Sequence, residues 1–194
     1  MKSHDAIKAI DAILAGQSVP VETTRVFGCS TKWADKREDA RKSVVKWDAE
    51  LVDLKEIDEA GVAQLVRNDT KNLLVINLWA TWCGPCVTEL PEFVTMNRMY
   101  RGRAFRLVTL SLDDAAKKDD ALRVLKENKV AAANYLVTTS DRDKFAEALD
   151  QQWPGPVPYT LVVAPGGNVL YRKTGPIEPL ELKRAIVGYL GRTY

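Results

Sequence analysis

Leu73-Leu74-Val75-Ile76-Asn77-Leu78-Trp79-Ala80-Thr81-Trp82-Cys83-Gly84-Pro85-Cys86 is the stretch on which the fold of this 194-residue chain turns. Its opening run is short and apolar, broken only by Asn77, and such a run reads as a strand buried on both faces. Two cysteines follow, spaced by Gly84-Pro85, and a proline there suits the first turn of a helix and stiffens the pair. A helix starting at this point directs its unpaired N–H groups and the positive end of its dipole at Cys83, which favours thiolate over thiol. A dithiol at a strand-to-helix handover points to thiol–disulfide exchange, with Cys83 attacking and Cys86, one turn inside, resolving.

Outward from this stretch, strands and helices alternate from Glu50 onward. The pattern predicts a strand at Leu51-Val52-Asp53-Leu54, a helix capped by Asp58, strands at 72–79 and 105–112, and a charged helix from Asp119 to Asn128. Further expectations are a strand near 134–137, a helix near 141–149, a hairpin of strands 159–164 and 168–173 around Pro165-Gly166-Gly167, and a terminal helix over 178–190. Such alternation predicts an α/β layered domain with helices on both faces of a central sheet. Before it, Ala6, Ile7, Ile10, Ile13 and Leu14 predict a short amphipathic helix stopped at Gly16, and residues 17–34 read as loop. A second helix is predicted over 35–47, with Val44, Val45 and Trp47 packing inward. The expected organisation is an N-terminal helical extension over 1–49 and one domain over 50–194.

Leu78 to Pro91 resembles the active-site stretch of thioredoxin-like proteins, especially the redoxin branch of extracytoplasmic reductases that help cytochrome maturation. Val157-Pro158-Tyr159-Thr160-Leu161-Val162-Val163 is similar to that family's cis-proline strand, and Pro165 to Tyr171 to its closing hairpin. The resemblance implies a thioredoxin-like fold with a central mixed sheet. It also implies that Val157 and Pro158, with Trp82, Gly84 and Pro85, form the surface that receives an extended substrate segment. A Gly-Pro pair between the cysteines is linked in the family to reducing members, thioredoxin lying near about −270 mV against about −120 mV for the strong bacterial oxidant. Asn77 stands where thioredoxin itself carries a buried Asp, so Glu89, one turn beyond Cys86, is the candidate proton carrier. The competing view of Glu89 is a solvated helix carboxylate. Trp79 reads as core, and Trp153 as either part of the rim or ordinary packing. Thr109 takes the place of a family lysine.

Composition sets the limits. With 28 basic and 26 acidic side chains the net charge is +2, so nucleic acid is not an expected partner. Three cysteines are too few for a disulfide scaffold. Zinc would need two more ligands, and only Cys29 and His4 remain of the favoured types, without paired spacing. No metal is expected, and no cofactor beyond the dithiol itself. The expected partners are protein disulfide substrates and an upstream electron donor. Cys29 lies in Val26 to Trp33, a segment similar to the tail of peroxiredoxin-like domains. The chain lacks a Pro-x-x-x-Thr-x-x-Cys signature, so Cys29 reads as an idle thiol.

No stretch approaches the roughly 20 apolar residues of a membrane span. The N-terminus lacks the apolar core of a secretory signal, whereas the family resemblance points outside the cytoplasm. A chain excised from a longer exported protein satisfies both. Two other functions compete with the oxidoreductase: a binding scaffold that retains the cysteine pair without turnover, and a peroxide-handling fusion fragment acting through Cys29.

Overall fold

The computed structural model describes residues 5–21, 37–139 and 141–191. The chain divides into two units, Met1–Arg37 with Tyr194, and Glu38–Thr193. In the first, helix α1 (Asp5–Leu14) runs into Gly16, whose φ of 68° ends it in the left-handed region that glycine adopts freely. Along α1, Ile7, Ile10, Ile13 and Leu14 are exposed. Cys29, His4 and most of the loop expected over 17–34 lie outside the described residues.

Helix α2 (Arg37–Asp48) belongs to the second unit from Glu38 onward. The inward packing expected of its apolar residues is corrected in two of three cases, because Val44 and Val45 are exposed. Trp47 alone makes the contact, lying beneath the guanidinium groups of Arg98 and Arg101 at 5.4 and 5.8 Å. Ion pairs complete the attachment: Arg98 with Asp48, Lys129 with Asp48, and a two-pronged contact from Arg101 to Glu50. Polar residues dominate α2, so charge rather than burial fastens it.

Six strands form one mixed sheet in the order β1-β4-β3-β2-β5-β6. They are β1 (Lys55–Ile57), β2 (Leu73–Trp79), β3 (Phe105–Ser111), β4 (Ala133–Val137), β5 (Tyr159–Val163) and β6 (Val169–Thr174). The first four are parallel, while β5 runs antiparallel to β2 and β6 antiparallel to β5. Helices α3 (Glu59–Arg67), α4 (Gly84–Tyr100), α5 (Lys118–Glu127), α6 (Arg142–Leu149) and α7 (Pro179–Leu190) cover both faces. The alternation of side chains along β2 divides the core. Leu74, Ile76 and Leu78 pack with Val62 of α3 and with Phe145 and Leu149 of α6. Val75 packs with Phe93 and Met96 of α4 and with Leu182 and Ile186 of α7, and Trp79 with the cysteines.

Local chemistry explains most boundaries. Asp58 caps α3 by accepting from Gly61 N at 2.8 Å, and Asp141 caps α6 by accepting from Asp143 N and Lys144 N. Asn68 ends α3 at φ 47°, and its side chain ties Asn72 O to Val163 O. The strand expected at 51–54 is displaced: Val52 and Leu54 are buried, yet the ladder begins at Lys55, where β4 supplies its partner.

Candidate active site

The dithiol stands where β2 ends and α4 begins. The chain leaves the sheet at Ala80, and Cys83 becomes the N-cap of α4, its sulfur accepting from Cys86 N at 3.3 Å. Cys83 and Cys86 form a disulfide with Cα atoms 5.3 Å apart. Cys86 is wholly buried and Cys83 is 6 % exposed, so any attacking sulfur reaches the pair from the Cys83 side. The first turn of α4 carries no acidic residue, so no like charge opposes a thiolate at Cys83. Gly84 and Pro85 are exposed on that turn, and nothing lies within 4 Å of a side chain placed at Gly84. Trp82 is 69 % exposed beside the disulfide, whereas Trp79 is fully buried in the core, with its Nε1 lacking a hydrogen-bond partner. Pro91 lies within α4, which continues through it to Tyr100.

A proline loop leads into β5 beside the end of β2. The register that pairs Leu78 with Tyr159 brings Pro158 alongside Trp79, at the exit of β2. The Val157–Pro158 peptide is cis, Pro158 is buried, and Val157 packs against the cluster that holds both cysteines. Trp153 is a packing residue of this loop: its ring meets Phe145 edge-on at 5.5 Å, and its Nε1 donates to Pro156 O.

Glu89 is not on a solvated face. It is 6 % exposed, accepting at Oε1 from Asn77 Nδ2 and at Oε2 from Ile177 N, both at 3.0 Å. Burial pushes its carboxyl above the ordinary range, and the two donors only partly offset this. It sits three residues beyond Cys86, a spacing that makes side chains neighbours on a helix. Thr109 is also buried, donating to Asn134 Oδ1, so the neighbouring strand presents a neutral group.

Two carboxylates that sequence reasoning missed hold the site's backbone. Asp113 is 3 % exposed and accepts from Thr81 N, from Thr81 Oγ1 at 2.6 Å and from Ser111 Oγ at 2.8 Å, pinning the loop that delivers Cys83. Asp150, at the end of α6, accepts from Tyr159 Oη, Gln152 N and the Arg172 guanidinium, tying the residue after Pro158 to the edge strand β6. Asp113 lies 32 residues from Thr81 and Asp150 22 from Arg172, so only a Ser-x-Asp at the end of a predicted strand offered a local hint. A cavity of about 350 Å³ opens at the beginnings of β3 and β4, lined by Lys55, Asn97, Arg101, Arg106 and Asn134, away from the cysteines.

Comparison with known proteins agrees with this architecture. The chain is 27 % identical over 122 residues to the thiol-disulfide oxidoreductase ResA of Oceanobacillus iheyensis, covering 63 % of this chain and 59 % of that protein. It is 29 % identical over 115 residues to the thiol:disulfide interchange protein CycY of Rhizobium leguminosarum bv. viciae, covering 59 % of this chain and 56 % of the relative. The chain thus spans somewhat more than half the length of these two relatives. Among solved structures, a DsbF homologue from Corynebacterium diphtheriae superposes with a TM-score of 0.54 at 20 % identity, over 62 % of this chain and 73 % of the other. A thioredoxin family thiol:disulfide interchange protein from Chlorobium tepidum does so at 0.52 and 20 %, over 66 % and 85 %. The family model Redoxin matches residues 50–186, and the chain belongs to the Redoxin family.

Proposed function

We propose that this protein is a thiol–disulfide oxidoreductase that reduces disulfides in protein substrates. The observation that carries the proposal is the dithiol capping the first turn of α4, open to approach on the Cys83 side and backed by a buried carboxylate one turn further along. In the reduced protein Cys83 thiolate attacks one sulfur of a substrate disulfide. A bond forms between Cys83 Sγ and that sulfur, and the other substrate sulfur leaves with the electron pair and takes up a proton. Cys86 then gives its proton to Glu89, attacks Cys83 Sγ and releases the second substrate thiol. This leaves Cys83 and Cys86 as the disulfide present in the structure. A protein dithiol from an upstream donor returns the pair to its reduced form.

Trp82, Gly84 and Pro85 supply an exposed rim for the substrate, and Val157 and Pro158 an extended backbone beside it. The work is set outside the cytoplasm, following the branch that the cysteine stretch resembles. Among the described residues no helix is long and apolar enough to cross a membrane.

The test is reduction of insulin disulfides in the presence of dithiothreitol, comparing the native chain with Cys83→Ser and Cys86→Ser. A rate that vanishes in Cys83→Ser, with a trapped mixed disulfide in Cys86→Ser, is the expected result. An undiminished rate in Cys83→Ser would leave the pair as a feature of a binding scaffold.

A further inference from the structure

Asn77 is the single polar side chain in the otherwise apolar β2, it is wholly buried, and it lies on the sheet face covered by α4. Its Nδ2 donates to Glu89 Oε1 at 3.0 Å and to Thr160 Oγ1 at 3.3 Å. Its Oδ1 is buried with no hydrogen-bond partner. An acceptor left without a donor in the core is costly, and an apolar residue at this place would avoid the cost. The carboxamide is kept for a reason other than packing.

The two oxygens of Glu89 differ in what they face. Oε2 accepts from the backbone N–H of Ile177, a donor fixed in place. Oε1 faces a carboxamide whose terminal torsion is two-fold, so exchanging Nδ2 and Oδ1 changes its hydrogen-bonding sense without changing its shape. A proton on Glu89 therefore belongs on Oε1. Thr160 can follow the exchange, since its hydroxyl accepts from Nδ2 in one orientation and donates to Oδ1 in the other.

We propose that Asn77 is a positioning residue that lets Glu89 hold either protonation state in a dry site. Its carboxamide donates through Nδ2 to the ionised carboxylate and, turned over, accepts through Oδ1 from the carboxylic acid. The role rests on the reading above, in which Glu89 takes the proton that Cys86 loses as its sulfur attacks Cys83. In that step the proton passes to Glu89 Oε1, the Cys83–Cys86 bond forms, and the bond from Cys83 to the substrate sulfur breaks, with the electron pair leaving on that sulfur. Re-reduction returns the proton to Cys86. A group that only accepts, such as an aspartate, would serve the acid and repel the carboxylate. The amide serves both.

The other ionisable groups around Glu89 are few. From α4 comes Cys86, silent while oxidised. From β6 comes Tyr171, whose buried hydroxyl has no partner and is pushed up first by burial and then by the charges of Glu181, Glu178 and Glu89. Glu178 and Glu181 mark the start of α7, and β2 and β5 contribute the neutral Asn77 and Thr160. Glu89 is the one carboxyl among these that bonds to Asn77, so its own carboxyl carbon is the signal to follow in the oxidised protein.

The test is nuclear magnetic resonance of the oxidised protein, following the Glu89 carboxyl carbon and the Asn77 side-chain amide across pH. The two are expected to move with one midpoint, and Glu89→Gln is expected to abolish the pH response of the amide. Asn77→Ala is expected to raise the Glu89 midpoint by about one pH unit, because the bond lost by the ionised form is charge-assisted and the stronger of the two. Asn77→Asp, of equal size, carries the test where the alanine variant fails to fold, and is expected to split the titration into two separated steps. An Asn77 amide that stays still through the Glu89 titration, or a midpoint that neither variant moves, overturns the inference. The pH profile of insulin reduction in Glu89→Gln tests the premise separately. A profile identical to the native one removes the acid–base role of Glu89 and with it the role of Asn77, even where the two side chains titrate together.

Discussion

Asp150→Ala removes the carboxylate that joins three elements at the proline loop. The carboxylate side chain is 6 % exposed and accepts from Tyr159 Oη at 2.8 Å, from Arg172 Nε at 2.6 Å and from Gln152 N at 3.2 Å. Truncation leaves the hydroxyl of Tyr159, itself 1 % exposed, buried without an acceptor, a loss of about 1–3 kcal/mol. Breaking a buried ion pair would add about 3–5 kcal/mol, but the Arg172 side chain is 34 % exposed and water can solvate it, so we assign this part about 1 kcal/mol. The sum is about 2–4 kcal/mol, and at roughly 2–4 °C per kcal/mol for a chain of this size the midpoint of thermal unfolding falls by about 4–16 °C. Circular dichroism of the oxidised protein measures it.

The pH dependence gives a second signature of the same group. Burial pushes the Asp150 carboxyl up, but donation from Arg172, Tyr159 and Gln152 N outweighs it, and the net shift is downward. A carboxyl that titrates lower when folded contributes stability that is complete above its unfolded pKa, near about 4, and is lost as pH falls through the folded value. The acid limb of the stability curve is therefore expected to be shallower in Asp150→Ala. An unfolding midpoint within about 1 °C of the native protein at pH 7 would show that the Asp150 carboxylate does not hold these elements together.

Asp113→Ala frees Thr81 N, Thr81 Oγ1 and Ser111 Oγ at once, and is expected to cost about 2–4 kcal/mol in urea unfolding and to slow insulin reduction by loosening the loop before Cys83; unchanged stability would show that Asp113 holds nothing. Gly167 has φ of 82°, and a Cβ there would meet Arg67 O at 3.3 Å, so Gly167→Ala is expected to destabilise the hairpin by about 1 kcal/mol or more, with a lowered urea midpoint and unchanged redox activity.

The alternation of elements was legible because its signals are local. Asp58 and Asp141 announce helix starts within a few residues of the N–H groups they accept from, and the apolar run of β2 is bounded by polar residues on both sides. Where the structure departs from expectation, a distant partner decides. Leu51 to Leu54 has the composition of a strand, but ladder bonds require a neighbour, and β4 meets the chain only from Lys55 onward. Val44 and Val45 follow a helical pattern yet remain exposed, because α2 is fastened through Trp47 and its acidic end.

The candidate site divides along the same line. Cys83, Gly84, Pro85 and Cys86 announce themselves by spacing, and Glu89 by its turn of helix. The burial of Glu89 and its bond to Ile177 N depend on a loop 88 residues away. Asp150 reaches Arg172 across 22 residues, and Asp113 reaches Thr81 across 32. Neither contact carries a pattern that periodicity or capping could expose.

The antiparallel pairing of β2 with β5 also has a consequence in time. A ribosome delivers Cys83 and Cys86 about 70 residues before Pro158, and β2 cannot gain its second neighbour until Tyr159–Val163 has emerged. Pairing so distant in sequence waits on closure of a long loop. For that interval the nascent dithiol has no roof and is open to any oxidant or stray disulfide it meets. Arrival of roughly the last fifth of the chain therefore both completes the sheet and converts an indiscriminate pair of sulfurs into one that can be approached from a single side.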